Sequence, residues 1–306
     1  MATSPPVEER ARETAPLKER VIALVPPAAR RAGARGILAM RLVTNRWRGL
    51  PDTLLVGTMR GGTTSLYRWL ADHPDCTSSL RKEVGFFTRE YAHGEPWYRA
   101  HFPLGESGGQ NGAARRRLEA TPDYLLDPRA AARAAALLPD ARILVLLRDP
   151  VDRACSHYGV LRRIGVETLS FDEAIEAEPE RLAPAWARLE ADPEAPLPQA
   201  LIDWSYVERG RYAEQLARWL ARYPRERVLV VKSEEMYERP AATYGRILAF
   251  LGLRPWRPSF VAYAWDRTTS AGASRAPDDV RRRLAPVFAD ANAELRDLLG
   301  WDSAWE

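Results

Sequence analysis

Two cysteines, Cys76 and Cys155, are all that the 306-residue chain contains. A disulfide framework is thereby excluded, and no metal-ligand spacing accompanies them. Buried, inert thiols in a reducing compartment are expected. Lysine is nearly as scarce: only Lys18, Lys82 and Lys232 occur, among 45 basic residues. Arginine stands where lysine is usual, and with alanine so frequent this bias points to a GC-rich bacterial genome. Long apolar runs are missing too. None approaches the roughly 20 residues of a membrane-crossing helix, and the charged N-terminal residues lack the apolar centre of a secretory leader. A cytoplasmic protein is the expectation. No internal repeat is visible. The formal charge is +4, a mild basic excess that favours anionic partners without singling out nucleic acid.

What is present suits one large α/β domain, and 46% apolar residues allow it a sizeable core. Residues 1–50 read as a basic, partly disordered extension. Its first part is rich in Pro, Glu and Arg. Residues 17–50 suggest a basic amphipathic helix that either touches a membrane or polyanion or packs on the domain. From 51 to 306 the pattern alternates. A strand at 53–58 feeds a helix at 63–72 with Leu66, Trp69 and Leu70 on one face. A strand at 117–121 precedes a helix at 128–138. The apolar run "RILVLLR" (142–148) reads as a parallel strand covered on both faces, followed by a helix at 150–163. A helix at 209–222, a strand at 227–232 and helices at 240–251 and 278–299 complete the chain. The last shows Val280, Leu284, Val287, Phe288, Ala291, Leu295 and Leu298 along one face. Residues 167–200 interrupt this order. They are acidic, and their prolines argue against one long helix, so an insertion on the rim is expected, either a lid or a solvated excursion.

The stretch "GTMRGGTTS" (57–65) lies between the first strand and its helix. Backbone N–H groups of Gly61, Gly62, Thr63 and Thr64 at a helix N-terminus suit an anion, with hydroxyls from Thr63, Thr64 and Ser65 and a permanent charge from Arg60. The spacing is that of a nucleotide-binding loop, but Thr63 fills the slot of the lysine that such a loop sets on the β/γ-phosphates. Asp149, at the end of the apolar strand, reads as a helix N-cap with Pro150 at N1 rather than as a metal ligand. In "RDPVDRACSHY" (148–158), Arg148 leaves the strand end and Ser156 lies two turns into the helix, a pair suited to a second, separate phosphate. In "RKEVGFF" (81–87), Glu83 becomes a candidate general base beside such a pocket, with Lys82 next to it.

These stretches, together with "WYRAHFP", "ATPDYLLDP" and "GRYAEQLARWL", occur in an order that resembles sulfotransferases using 3′-phosphoadenosine 5′-phosphosulfate (PAPS). The resemblance is strongest to the branch of the heparan-sulfate N- and 3-O-sulfotransferases and their bacterial relatives, and it covers about residues 52–300. It implies a P-loop-like three-layer sandwich, a central parallel sheet flanked by helices. It also implies that residues 60–65 hold the 5′-phosphosulfate and that Arg148 and Ser156 hold the 3′-phosphate. Glu83 would take the acceptor's proton, while Lys82 binds the acceptor or neutralises charge. Arg60 replaces the family's catalytic lysine; it keeps the charge at the bridging oxygen but does not give up a proton. Where the family carries a Lys-Gly-Arg loop over the nucleotide, this chain offers Gly272, Ser274 and Arg275. The His and Asp that follow the base in the 3-O branch are Gly85 and Thr88 here, leaving Asp123 or His101 to orient Glu83.

The expected function is therefore sulfuryl transfer from PAPS to a hydroxyl or amine of a glycan, glycolipid or secondary metabolite, without a metal and without nucleic acid as partner. Trp97, Trp204 and Trp265 are candidates for stacking on a sugar or for core packing. The rival readings are a small-molecule kinase with an altered loop and a non-catalytic nucleotide- or polyanion-binding protein.

Overall fold

The computed structural model describes residues 36–105, 115–258, 275–302 and 304–305. Five parallel strands form one sheet: β1 (Thr53–Gly57), β2 (Cys76–Ser78), β3 (Arg116–Ala120), β4 (Arg142–Leu147) and β5 (Val228–Lys232), in the order β2-β3-β1-β4-β5. Strands β1 and β4 are buried almost end to end. Their alternating side chains feed two apolar layers. Leu54, Val56, Ile143, Val145 and Leu147 face one; Leu55, Leu144 and Leu146 face the other. This is why "RILVLLR" is continuously apolar instead of alternating.

Helices cover both faces. Helix α1 (Thr63–Ala71) buries Leu66, Trp69 and Leu70 on one side of the sheet. Helix α2 (Gly94–Ala100) packs Tyr98 on the opposite side. The single turn α3 (Asp123–Leu126) and helix α4 (Ala130–Leu137) follow β3 on that same side. Helix α5 (Pro150–Arg163) follows β4. Its start is fixed as the sequence indicates: the Asp149 carboxylate accepts from Val151 N and Asp152 N, and Pro150 occupies the first turn.

Residues 167–200 are neither one long helix nor a solvated excursion. Helices α6 (Phe171–Glu176) and α7 (Glu178–Ala191) form there, and α8 (Gln199–Asp203) follows. Pro179 is tolerated because it falls in the first turn of α7; Pro184 lies inside the helix. Leu182, Ala185, Leu189, Leu197 and Leu201 build a core of their own with Leu126. The acids are partly structural. Glu167 is buried against Arg181 at 2.6 Å and Tyr206 Oη at 2.8 Å, and those partners hold its carboxyl down to about 2 against the cost of burial. Glu178 accepts from Val207 N and Glu208 N, but burial still pushes it up to about 7.

Helices α9 (Tyr212–Leu220), α10 (Ser233–Glu238), α11 (Pro240–Leu251) and α12 (Asp278–Leu299) close the fold. The apolar stripe of α12 is narrower than its sequence suggests. Leu284, Phe288 and Leu295 are buried with Asn292, whereas Val287 and Leu298 are exposed. Strand β2 and helix α2 escape periodicity because three and seven residues are too short to display a period. Of the N-terminal extension, residues 36–43 are helical. Its end docks on α2 through Arg48 Nη1 to Phe102 O at 2.8 Å and Arg99 Nη1 to Arg48 O at 2.9 Å.

Candidate active site

The C-terminal ends of β1, β3, β4 and β5 converge, as ligand sites of open parallel sheets do. The loop after β1 is held tightly. Thr58 N donates to Leu146 O at 2.5 Å and Gly61 N to Thr58 O at 3.0 Å. A Cβ on Gly61 would stand 2.9 Å from Leu146 O, and Gly62, at φ +85°, leaves only 2.7 Å to Tyr237 Oη. Gly61 is thus required by close approach to backbone, and Gly62 by its left-handed conformation. Ser65 N and Leu66 N bond back to Gly62 O, leaving the N–H groups of the first turn, Thr63 and Thr64, directed out of the helix end without intrahelical acceptors. The Thr63 side chain is buried, Ser65 is half-buried and Thr64 is exposed.

Arg60 has φ +68°, an uncommon conformation for a residue other than glycine. Its backbone carbonyl accepts from Arg148 Nη1 at 3.2 Å, and its own Nε donates to Ser156 Oγ at 3.0 Å. The two candidate stretches read from the sequence therefore meet, bridged by the Arg60 side chain. Arg148 is buried, with its carbonyl held by Tyr212 Oη at 2.8 Å. Burial, and then Arg148 and Arg163, push the Arg60 guanidinium below its ordinary range. Three like charges drawn this close favour an anion among them.

Glu83, in the loop after β2, lies against the C-terminal end of β3. Its N–H donates to Ala120 O at 2.9 Å, and its φ is +61°. The carboxylate is half exposed and pairs with Lys82 Nζ. Lys82 thus sits as charge partner of Glu83. Neither residue proposed to orient Glu83 is bonded to it. Asp123 is taken by Arg209 at 2.9 Å, with Arg89 at 3.8 Å. His101 is buried against Trp97, ring centroids 4.4 Å apart, with both nitrogens unpartnered.

Arg275 is exposed and directly precedes Ala276, whose N–H bonds Asp152 in the first turn of α5 at 2.7 Å. That places it beside the Arg148 end of the sheet. Gly272, Ser274 and Trp265 lie outside the described residues. Trp97, half-buried, packs against Phe86, and Trp204, also half-buried, lies under the Arg181 guanidinium. Two supporting residues carry no sequence motif: Ser233, whose Oγ donates to Gly61 O at 2.5 Å, and Tyr237, which closes on Gly62. Only the fold brings β5 beside the loop. Burial pushes the Cys76 and Cys155 thiols up to about 12 and about 11, which leaves neither as a nucleophile at neutral pH. Among the described residues no helix is long and apolar enough to cross a membrane.

Replacing Ser156 by Ala removes the acceptor of Arg60 Nε and, on the reading of a second phosphate there, one neutral hydrogen bond to it. Affinity for adenosine 3′,5′-bisphosphate is expected to fall by about 5- to 10-fold, read by calorimetry. The buried histidines predict an acid-sensitive fold. Burial, aided by Arg81 and Arg41, lowers His101 to about 4. Because the folded value is depressed below the unfolded one, the unfolded chain binds the extra proton, and stability drains away as pH falls from about 6.5 towards 4. Glu178, raised to about 7, has the opposite slope, so the readout is a difference. Urea melts of His101→Phe are expected to lose less stability than wild type between pH 7 and pH 4.5; equal slopes would remove His101 from the account.

The geometry is that of a P-loop-like fold: a glycine loop after β1, the Arg60, Arg148 and Ser156 side chains beside it, and a carboxylate at the neighbouring strand end. The chain belongs to the sulfotransferase family, with residues 50–262 matching the sulfotransferase domain. It is 34% identical to mouse heparan sulfate glucosamine 3-O-sulfotransferase 6, over 85% of this chain and 75% of that protein. It is 33% identical to the human 3-O-sulfotransferase 3A1 over 72% of this chain, and spans about half, 48%, of that longer relative. A solved sulfotransferase from Alicyclobacillus acidocaldarius superposes with a TM-score of 0.64 at 29% identity, over 83% of this chain and 97% of that one.

Proposed function

We propose that this chain moves a sulfuryl group from PAPS to a hydroxyl or amine of a glycan. The observation that carries the reading is the Arg60 bridge: one guanidinium joins the β1 loop to Ser156, within reach of Arg148. A nucleotide phosphorylated at both the 3′ and 5′ positions would occupy both ends of that surface. ATP carries no 3′-phosphate for the Ser156 end, and Thr63 replaces the lysine that a γ-phosphate needs.

In the proposed reaction the acceptor attacks sulfur in line. The acceptor O–S or N–S bond forms while the S–O bond to the 5′-phosphate breaks, and the electron pair leaves on the phosphate oxygen. Glu83 takes the acceptor's proton. Arg60 and the N–H groups of Gly62, Thr63 and Thr64 meet the charge growing on the departing phosphate. Lys82 pairs with the Glu83 carboxylate and holds it in place until the acceptor displaces it. Cationic side chains and backbone donors supply the charge stabilisation that a metal supplies elsewhere. Arg275, just before α12, is proposed to contact the nucleotide, and residues 51–306 to form the catalytic domain, with 1–50 as its extension. Two unpaired cysteines support a reducing, cytoplasmic setting.

Thermal melts separate the readings. Adenosine 3′,5′-bisphosphate is expected to raise the melting temperature by several degrees at saturation, and ATP with magnesium much less. The reverse order would favour a kinase. Protection by a long polyanion alone, lost steeply with salt, would favour a binding protein.

A further inference from the structure

Glu119 lies in the middle of the core and has no part in the chemistry described so far. It is fully buried on β3, on the sheet face that carries Tyr98 and Tyr124. A carboxylate there is costly unless it is well bonded. One bond is well formed: Thr121 Oγ1 donates to Glu119 Oε1 at 2.6 Å. The other oxygen, Oε2, lacks a well-formed hydrogen bond, although the Tyr124 hydroxyl and the Val84 N–H lie near enough to favour the charged form.

The same Thr121 oxygen accepts from Gly85 N at 3.1 Å. Gly85 ends a short turn in which Glu83, at φ +61°, and Gly85, at φ +73°, both take left-handed backbone. For Glu83 this conformation costs free energy and persists only where the surroundings over-determine it. Two bonds to β3 do so: Glu83 N to Ala120 O and Gly85 N to Thr121 Oγ1. Glu119 anchors the second by fixing the direction of the Thr121 hydroxyl, whose proton must point at Oε1 so that its lone pair faces Gly85.

We propose that Glu119 is a positioning residue for the base: through Thr121 it clamps the turn that presents Glu83 to the acceptor. The groups facing it are Thr121 and Tyr124 after β3, Tyr98 from α2, Tyr67 from α1, and Lys82 and Val84 from the turn itself. Burial outweighs these and raises the carboxyl to about 7. The clamp therefore changes charge near neutral pH, beside the Lys82–Glu83 pair.

Three variants test this with N-sulfated heparosan as acceptor probe and PAPS as donor. Thr121→Val is expected to lower kcat by about 10-fold or more while affinity for adenosine 3′,5′-bisphosphate stays within about 2-fold, and Thr121→Ser to recover most of that loss. Glu119→Gln, which accepts from Thr121 but cannot ionise, is expected to lose an inflection near pH 7 present in the wild-type kcat profile. The proposal is overturned if Thr121→Val leaves kcat unchanged, if Thr121→Ser is as impaired as Thr121→Val, if Glu119→Gln keeps the wild-type profile, or if nucleotide affinity and kcat fall together. It rests on the sulfotransferase reading but not on the glycan. A wild-type chain that transfers nothing to the probe counts against the acceptor class, and the same variants are then compared by hydrolysis of PAPS by water, which also gives up a proton.

Discussion

Glu83→Gln is expected to lower turnover by about 10³-fold while leaving nucleotide affinity nearly unchanged. The amide keeps the shape of the side chain but cannot take a proton. The acceptor must then attack as a neutral hydroxyl or amine, and the proton released as the new bond forms has nowhere to go. Nucleotide affinity is expected to be spared because the proposed bisphosphate surface draws on other elements: the β1 loop, Arg148 at the end of β4, and Ser156 on α5. The variant also leaves Lys82 without its carboxylate partner. That pair is half exposed, so its loss costs little stability, and the melting temperature serves as the control. Turnover within about 10-fold of wild type would remove Glu83 as the base.

Arg60→Ala carries the second large effect, a fall in kcat of about 10²- to 10³-fold, the range seen when one preorganised donor to a developing oxyanion is removed. Unlike Glu83→Gln it is expected to weaken nucleotide binding as well, because Arg60 also holds Ser156 through Nε at 3.0 Å. The guanidinium has donors on several sides. Nε can stay on Ser156 while a terminal nitrogen turns to the leaving oxygen. A lysine has one ammonium for both tasks. Arg60→Lys is accordingly expected to keep kcat within about 10-fold of wild type but to lose affinity for adenosine 3′,5′-bisphosphate. A Lys variant as inert as Ala would show that the fork itself, not the charge, supports turnover. Unchanged kcat in Arg60→Ala would displace Arg60 from the leaving group.

The sheet was legible wherever burial left a continuous or periodic signal. Strand β4, covered on both faces, and α1, with Leu66, Trp69 and Leu70 on one side, are written plainly in the residues. The Asp149-Pro150 start of α5 is equally plain, because capping is local chemistry. Residues 167–200 were not legible. Their prolines rightly argue against one long helix but, with the acids, leave a lid and a solvated excursion equally open, whereas Pro179 is harmless in a first turn and Glu167 and Glu178 are spent on buried partners. The anion loop, the Arg148–Ser156 pair and Glu83 were visible as short stretches, but their union through the Arg60 side chain was not. Nor was the support from Ser233, Tyr237, Thr121 and Glu119. Each depends on which strand ends become neighbours, and that is a property of the order β2-β3-β1-β4-β5 rather than of any local spacing.

The most direct measurement is transfer of radiolabelled sulfate from PAPS, with wild type and Glu83→Gln run side by side on N-sulfated and N-deacetylated heparosan. The predicted result is label in the polysaccharide with one adenosine 3′,5′-bisphosphate released per sulfate, and label lower by about 10³-fold in the variant. Equal label from both proteins, or adenosine bisphosphate binding so weak that PAPS is never turned over while ATP with magnesium is, would contradict the account.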